Sequence, residues 1–201
     1  MTRTSCHVSG YGSVFDFTDA MESLIRDIAA RCPEFAHVQT DRILVSYFQT
    51  RSPGAHGVYA SVQPLRFEGG VRTRKRRGRT YAMPEIRHEG REIMYIVYFA
   101  LPRFAELSFD EKLTTVFHEM YHISPEFDGD IRRFPGKYYA HGRSRKRYNE
   151  RVRAIADGYL TMSGTEERVE FLRRSFGELT AEHGKVIGTR VRPPRPKLSR
   201  D

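Results

Sequence analysis

Two cysteines, no tryptophan and no long hydrophobic run mark this chain of 201 residues. Cys6 and Cys32 make no disulfide framework, and neither belongs to a Cys-x-x-Cys pair. A reducing, cytoplasmic setting is the simplest expectation. The longest apolar run, Ile93 to Leu101, reaches about half of the ~20 residues that a membrane helix needs. No apolar stretch follows the basic residue near Met1, so a secretory leader is not expected. Acidic residues are also scarce, 25 Asp and Glu against 34 Lys and Arg, which leaves a net charge of +9. That excess favours anionic company such as nucleic acid or acidic protein surfaces, and equally serves solubility. The chain is nevertheless no open coil. With 39% hydrophobic and 12% aromatic residues it can bury a core, and its length suits one domain.

Met21, Leu24, Ile25, Ile28 and Cys32 recur at helical spacing, with Asp19 and Glu22 as a capping box and Pro33 as the stop. Strand chemistry follows at 43–48, 58–65 (after the turn formers Ser52-Pro-Gly54), 80–83 and 93–99. The last is almost continuously apolar and belongs in the middle of a sheet. Between the second and third strands lies Arg72-Thr-Arg-Lys-Arg-Arg-Gly-Arg79, six of whose eight residues are cationic. Such a segment must be a solvated loop or hairpin tip. The period then changes to 3.6. Ser108 and Glu111 form a capping box for the stripe Leu113, Val116, Phe117, Met120 and Ile123, which Pro125 ends. A Gly- and Arg-rich connector runs from Phe127 to about Arg147. Two helices are expected after it, one carrying Val152, Ile155, Ala156, Tyr159 and Leu160, the other from Glu166 to about His183. The segments read as an extended lead-in (1–15), one domain (16–188) and an extended, mobile Pro/Arg-rich tail (189–201).

The chemistry sits in His118-Glu119-Met120-Tyr121-His122 on the capped helix. Positions i and i+4 project from one helix face, so both imidazoles can reach one ion, while the intervening carboxylate can serve a water beside it. A catalytic zinc takes a third protein ligand. His141, Asp128 and Glu150 are the candidates. His141 is preferred, because a loop His beside Gly142 can approach closely. Asp128 falls where a short-spacer pattern has its last His, but Pro125 replaces the turn glycine of that pattern. Glu150 would supply a helical carboxylate. Tyr138, Tyr139 and Tyr148 are candidate donors to an oxyanion. Asp128, Asp130 and Asp157 could orient a ligating imidazole from behind.

The stretch HEMYHISPEFDGDIRRF, with a His-Gly pair downstream, resembles the phage-type metallopeptidases, small zincin-like proteins, over roughly residues 90–160. More distantly it is similar to SprT/Spartan-type proteases. The resemblance implies an α+β zincin-like fold, with an N-terminal helix and a small, mostly antiparallel sheet before the HExxH helix and C-terminal helices. It implies Zn2+ as cofactor, His118, His122 and His141 as ligands and Glu119 as general base, and it supplies chemistry without naming a substrate. A protein or peptide substrate is expected from that chemistry, and no membrane involvement from the lack of a long apolar run. Two alternatives stand beside it. One is a basic nucleic-acid-associated protein, or a protease working near DNA, that uses Arg72–Arg79, the cluster around Arg143–Arg153 and the tail. The other is a non-catalytic metal-binding module.

Overall fold

The structure, a computed structural model, describes residues 14–50 and 57–199. Most of the expected lead-in, Cys6 and the Ser52-Pro-Gly54 turn lie outside the described residues. The elements run β1 (Val14–Asp16), α1 (Phe17–Arg31), β2 (Ile43–Gln49), β3 (Ala60–Pro64), β4 (Thr73–Arg76), β5 (Arg79–Ala82), β6 (Arg87–His88) and β7 (Arg91–Glu92). Then follow β8 (Tyr95–Leu101), α2 (Phe109–Tyr121), α3 (Arg145–Leu160), α4 (Glu166–Val169), α5 (Phe176–His183), β9 (Lys185–Ile187) and β10 (Lys197–Leu198). The architecture is mixed α+β. Among the described residues no helix is long and apolar enough to cross a membrane.

Strand β8 is the spine. It lies between β2 and β3, and all seven of its residues are buried, as a strand covered on both faces requires. Its side chains alternate. Tyr95, Val97, Phe99 and Leu101 join the main core with α1 and α2, while Ile96 and Tyr98 join a smaller cluster with Leu65, Met83 and Ile93. The peripheral hairpins β4–β5 and β6–β7 are antiparallel, as expected of the sheet in general. The central sheet departs from that expectation, since β2 runs parallel to β8 and β3 antiparallel to it. The long excursion between β2 and β8 releases that pair from the tight hairpin that would impose an antiparallel partner.

Helix α1 begins one turn earlier than its expected capping box. Asp16 is the cap, and its Oδ1 accepts from Thr18 N at 2.9 Å and Asp19 N at 3.1 Å. Glu22, expected to close the box with Asp19, instead accepts from Val45 N on β2 at 3.4 Å. Met21, Leu24, Ile25 and Ile28 are buried on the sheet, each worth roughly 1.5–3 kcal/mol of transfer free energy. Helix α2 carries the anticipated box at Ser108 and Glu111. Leu113, Val116, Phe117 and Met120 face the core. Lys112 is buried as well, and its Nζ donates to the carbonyls of Leu172 (3.0 Å) and Arg174 (2.6 Å), which anchors α2 to the C-terminal part. Helix α3 packs Tyr148, Val152, Ala156 and Tyr159 inward, with the Tyr159 ring tilted against Phe117 at 5.6 Å between centroids and its hydroxyl donating to Asp27 on α1 at 2.7 Å.

Two C-terminal expectations are corrected. The single helix expected over 166–183 is broken, because Arg174 is extended and Ser175 with Glu178 forms a fresh capping box for α5. The tail is extended but docked rather than loose. Thr189 O accepts from Tyr47 N, Val191 N donates to Ser46 Oγ at 2.9 Å, and β10 pairs with β5. Backbone pairing, to which the cationic composition gave no clue, holds it there.

Candidate metal centre

His118 and Glu119 occupy the last turn of α2, and His122 is its C-cap. The chain then doubles back on the helix end instead of running straight to His141. Arg132 N donates to His122 O at 2.6 Å, Arg132 Nε donates to Tyr121 O at 2.8 Å, and Ile123 bridges Ile131. The last carbonyls of α2 are thereby satisfied by the connector. At the base of this return Tyr95 Oη donates to Asp130 O at 2.8 Å and accepts from Gly129 N at 2.9 Å. Gly129 (φ +87°) lies against Arg66, and an added Cβ would come within 2.6 Å of Arg66 Cγ. Beyond it, Phe134 N donates to Tyr139 O at 2.7 Å and Gly142 N to Tyr138 O at 2.8 Å. These bonds close the loop that presents His141.

Three ring nitrogens converge as a result. His118 Nε2 lies 3.1 Å from His122 Nε2 and 3.2 Å from His141 Nε2. Burial, reinforced by the neighbouring imidazoles, pushes His118 down to about 4 and His122 down to about 3. His141 is lowered by burial and by the Arg145 charge. Neutral rings with free lone pairs are what a metal ion requires.

Tyr148 underlies the cluster. Its ring centroid is 4.9–5.5 Å from those of all three histidines. Its Oη lies 3.4 Å from His122 Nδ1 and 3.5 Å from His118 O. With the Nε2 atoms turned inward, His122 Nδ1–H donates to Tyr148 Oη, which donates in turn to His118 O. The phenol is therefore engaged in holding rings, and its burial raises its pKa far above the ordinary tyrosine range. The sequence offers Tyr148 as a candidate oxyanion donor or a packing side chain, not as a support for the histidines. Its place as first residue of the α3 core stripe, directly after the His141 loop, was the available signal. Tyr138 and Tyr139 stand exposed on that loop.

Glu119 is 8% exposed, and its Oε2 accepts from Val62 N on β3 at 2.8 Å. Burial lifts its pKa to about 7, against the lowering effect of that bond. The contact to β3 had no signature in sequence. A cleft of about 880 Å3 passes His118 and Glu119 between the β3 edge at Tyr59 and Ala60, Thr115 of α2, and Asn149 and Arg153 of α3.

The remaining candidates lie elsewhere. Asp128 Oδ1 accepts from Asp130 N at 3.0 Å, and its side chain packs on Gly70. Glu150 lines the outer cleft and faces Lys146 at 3.9 Å. Asp130 is taken up by Arg133, Gly69 N and Ile131 N. Asp157 is exposed on α3.

The donor set fits a metal ion. A tetrahedral ion with bonds of about 2.0–2.1 Å places its donors roughly 3.3–3.4 Å apart. The two short nitrogen–nitrogen separations fall just inside that spacing. Hydrogen bonding alone does not account for the cluster, since His118 Nε2 can offer at most one proton and faces two partners. Three histidines could thus hold one ion.

No curated protein and no solved structure matches the chain. One family model does, over residues 16–159, a span that runs from the cap of α1 to Tyr159 and includes all three histidines. The chain belongs to the family described as "Putative phage metallopeptidase".

Proposed function

We propose that the protein is a zinc-dependent metallopeptidase of zincin-like fold, in which His118, His122 and His141 hold the ion through Nε2 and Glu119 is the general base. The observation that carries this reading is the meeting of the three Nε2 atoms beside a buried carboxylate at the wall of an open cleft. Zinc, when bound, supplies a Lewis acid that activates water and polarises a carbonyl. The rest is done by this chain. Glu119 Oε2 is fixed by Val62 N, which leaves Oε1 to take a proton from the attacking water and pass it to the departing amine nitrogen. Tyr148 keeps His122 turned so that its Nε2 faces the site. Strand β3 is an edge of the central sheet, and Tyr59, whose O accepts from Ala100 N, faces β8. Ala60 and Val62 therefore turn their backbone groups outward. The Val62 N–H is already given to Glu119, so an extended peptide would pair as an added strand through Ala60 and pass in front of Glu119.

The test is metal content together with hydrolysis of a quenched-fluorescence peptide library by zinc-loaded protein. Wild type should bind zinc in a one-to-one ratio and cleave peptides, losing activity to a chelator and regaining it with zinc. Glu119→Gln should keep the zinc and lose at least about a hundredfold in rate. Undiminished cleavage by that variant, or no cleavage by the loaded wild type, overturns the reading.

A further inference from the structure

We infer that the β4–β5 hairpin, extended by β10, is a binding platform for single-stranded nucleic acid, distinct from the histidine cluster and independent of the peptidase reading. The three strands form their own antiparallel sheet in the order β10–β5–β4. Register places Arg74 opposite Tyr81 and Arg76 opposite Arg79, so these four side chains share one face. Arg74 and Arg76 are two residues apart on a strand, a separation of about 6.8 Å along its axis. The docked tail adds Arg195 beside them. Phe67, Arg74, Arg76, Arg77, Tyr81 and Arg195 surround a concavity of about 880 Å3.

The charges there are uncompensated. Nearby arginines find carboxylates: Arg72 pairs with Glu85 and Glu92, Arg87 with Glu85, Arg66 with Glu92 and Arg91 with Asp41. Among the described residues Arg74, Arg76, Arg77, Arg79 and Arg195 have no such partner, although they crowd one small sheet. The hairpin tip adds a second observation. Arg77 (φ 50°) and Gly78 (φ 73°) form a two-residue turn with both φ positive, a place where Asn, Asp or Gly is the ordinary first residue. A long cation stands there against local preference, which points to use rather than to folding.

An occupant must bring closely spaced negative charges and flat apolar surfaces for Tyr81 and Phe67. Single-stranded nucleic acid offers both, phosphates for the guanidinium groups and unpaired bases for the rings. A duplex hides its base faces. An anionic membrane would meet, among the described residues here, two exposed large apolar side chains, Leu198 on β10 and Val71 just before β4, too little to insert. An acidic peptide offers no stacking partner in its carboxylates.

Fluorescence anisotropy of the full chain with a labelled oligodeoxythymidine longer than the ~16 nucleotides of a single-strand module tests this, beside a duplex of equal length. The single strand should bind at least about tenfold tighter than the duplex, with affinity falling steeply as salt rises. Arg74→Glu with Arg76→Glu should weaken binding about tenfold or more and flatten the log–log salt slope by about 1.4. Tyr81→Ala should cost about fivefold or more on the single strand and little on the duplex. Arg26→Glu with Lys185→Glu changes net charge equally at exposed sites elsewhere and should stay within about threefold of wild type. The milder pair Arg74→Gln with Arg76→Gln, checked by circular dichroism, separates lost binding from lost fold. Equal losses in the Arg26/Lys185 control, full binding by the Arg74/Arg76 variants, or tighter binding to duplex or to anionic vesicles would overturn the proposal.

Discussion

Val62 N donates to Glu119 Oε2 at 2.8 Å, so the outer edge of the central sheet and the acid of the HExxH helix share one hydrogen bond. Under the proposed function, the strand offered to an extended chain is thereby the strand that holds the base, and a substrate docked along β3 would arrive already in register with the carboxylate.

The third ligand is assigned by metal content. His141→Ala should lose stoichiometric zinc, because two imidazoles on one helix leave the ion with too few donors. Asp128→Asn and Glu150→Gln should retain it, since both carboxylates sit outside the cluster. Elemental analysis of the three variants after dialysis reads the result, and loss in Asp128→Asn with retention in His141→Ala would reverse the assignment.

Tyr148→Phe keeps the ring under the histidines and removes the hydroxyl between His122 Nδ1 and His118 O. Zinc affinity should fall about tenfold, the lower end for groups that orient a ligand, because both contacts are long. Thermal unfolding of the metal-free protein should change little. Competition with a chromophoric chelator measures the affinity.

His37 gives an acid-side signature. Its Nε2 is buried without a partner among the described residues, and burial, then the Arg132 charge, holds its pKa below 6.5, with Glu126 opposing. As pH falls below about 6.5 the unfolded chain takes up this proton first, so stability declines towards the lowered folded-state value. His37→Gln removes that portion. Urea midpoints at about pH 7.5 and about pH 5.5 should differ less in the variant than in wild type; an equal drop would place the acid sensitivity elsewhere.

Gly129→Ala should destabilise the connector. Its φ of +87° is strained for alanine, and the added methyl would meet Arg66 Cγ at 2.6 Å and Met94 Cε at 2.9 Å. A cost of roughly 1–3 kcal/mol is expected, read from denaturant midpoints. A midpoint within error of wild type would mean that the loop relaxes freely.

What the sequence disclosed follows from how local each signal is. The α2 capping box, the HExxH spacing and the buried β8 run are written in contiguous residues, and each is found in place. The arrival of His141 was harder. Its long spacer is taken up by the Ile123–Ile131 bridge and by Arg132 folding back on α2, contacts between residues of unremarkable type. The Val62–Glu119 bond uses a backbone amide, which has no letter in the sequence. The tail shows the same limit. Pro and Arg content described its extension correctly, while its attachment depends on bare strand edges that composition does not record.

That attachment makes the two borders of the central sheet unequal. Along β2 the run from Thr189 to Val191 caps backbone and hydroxyl groups, with Gly188 so near that a Cβ would lie 3.3 Å from the Tyr47 ring. Along β3 the corresponding border opens onto the cleft. Under the proposed function, a foreign strand, whether prey or a sibling molecule, is thus turned away on one flank and admitted on the flank beside Glu119.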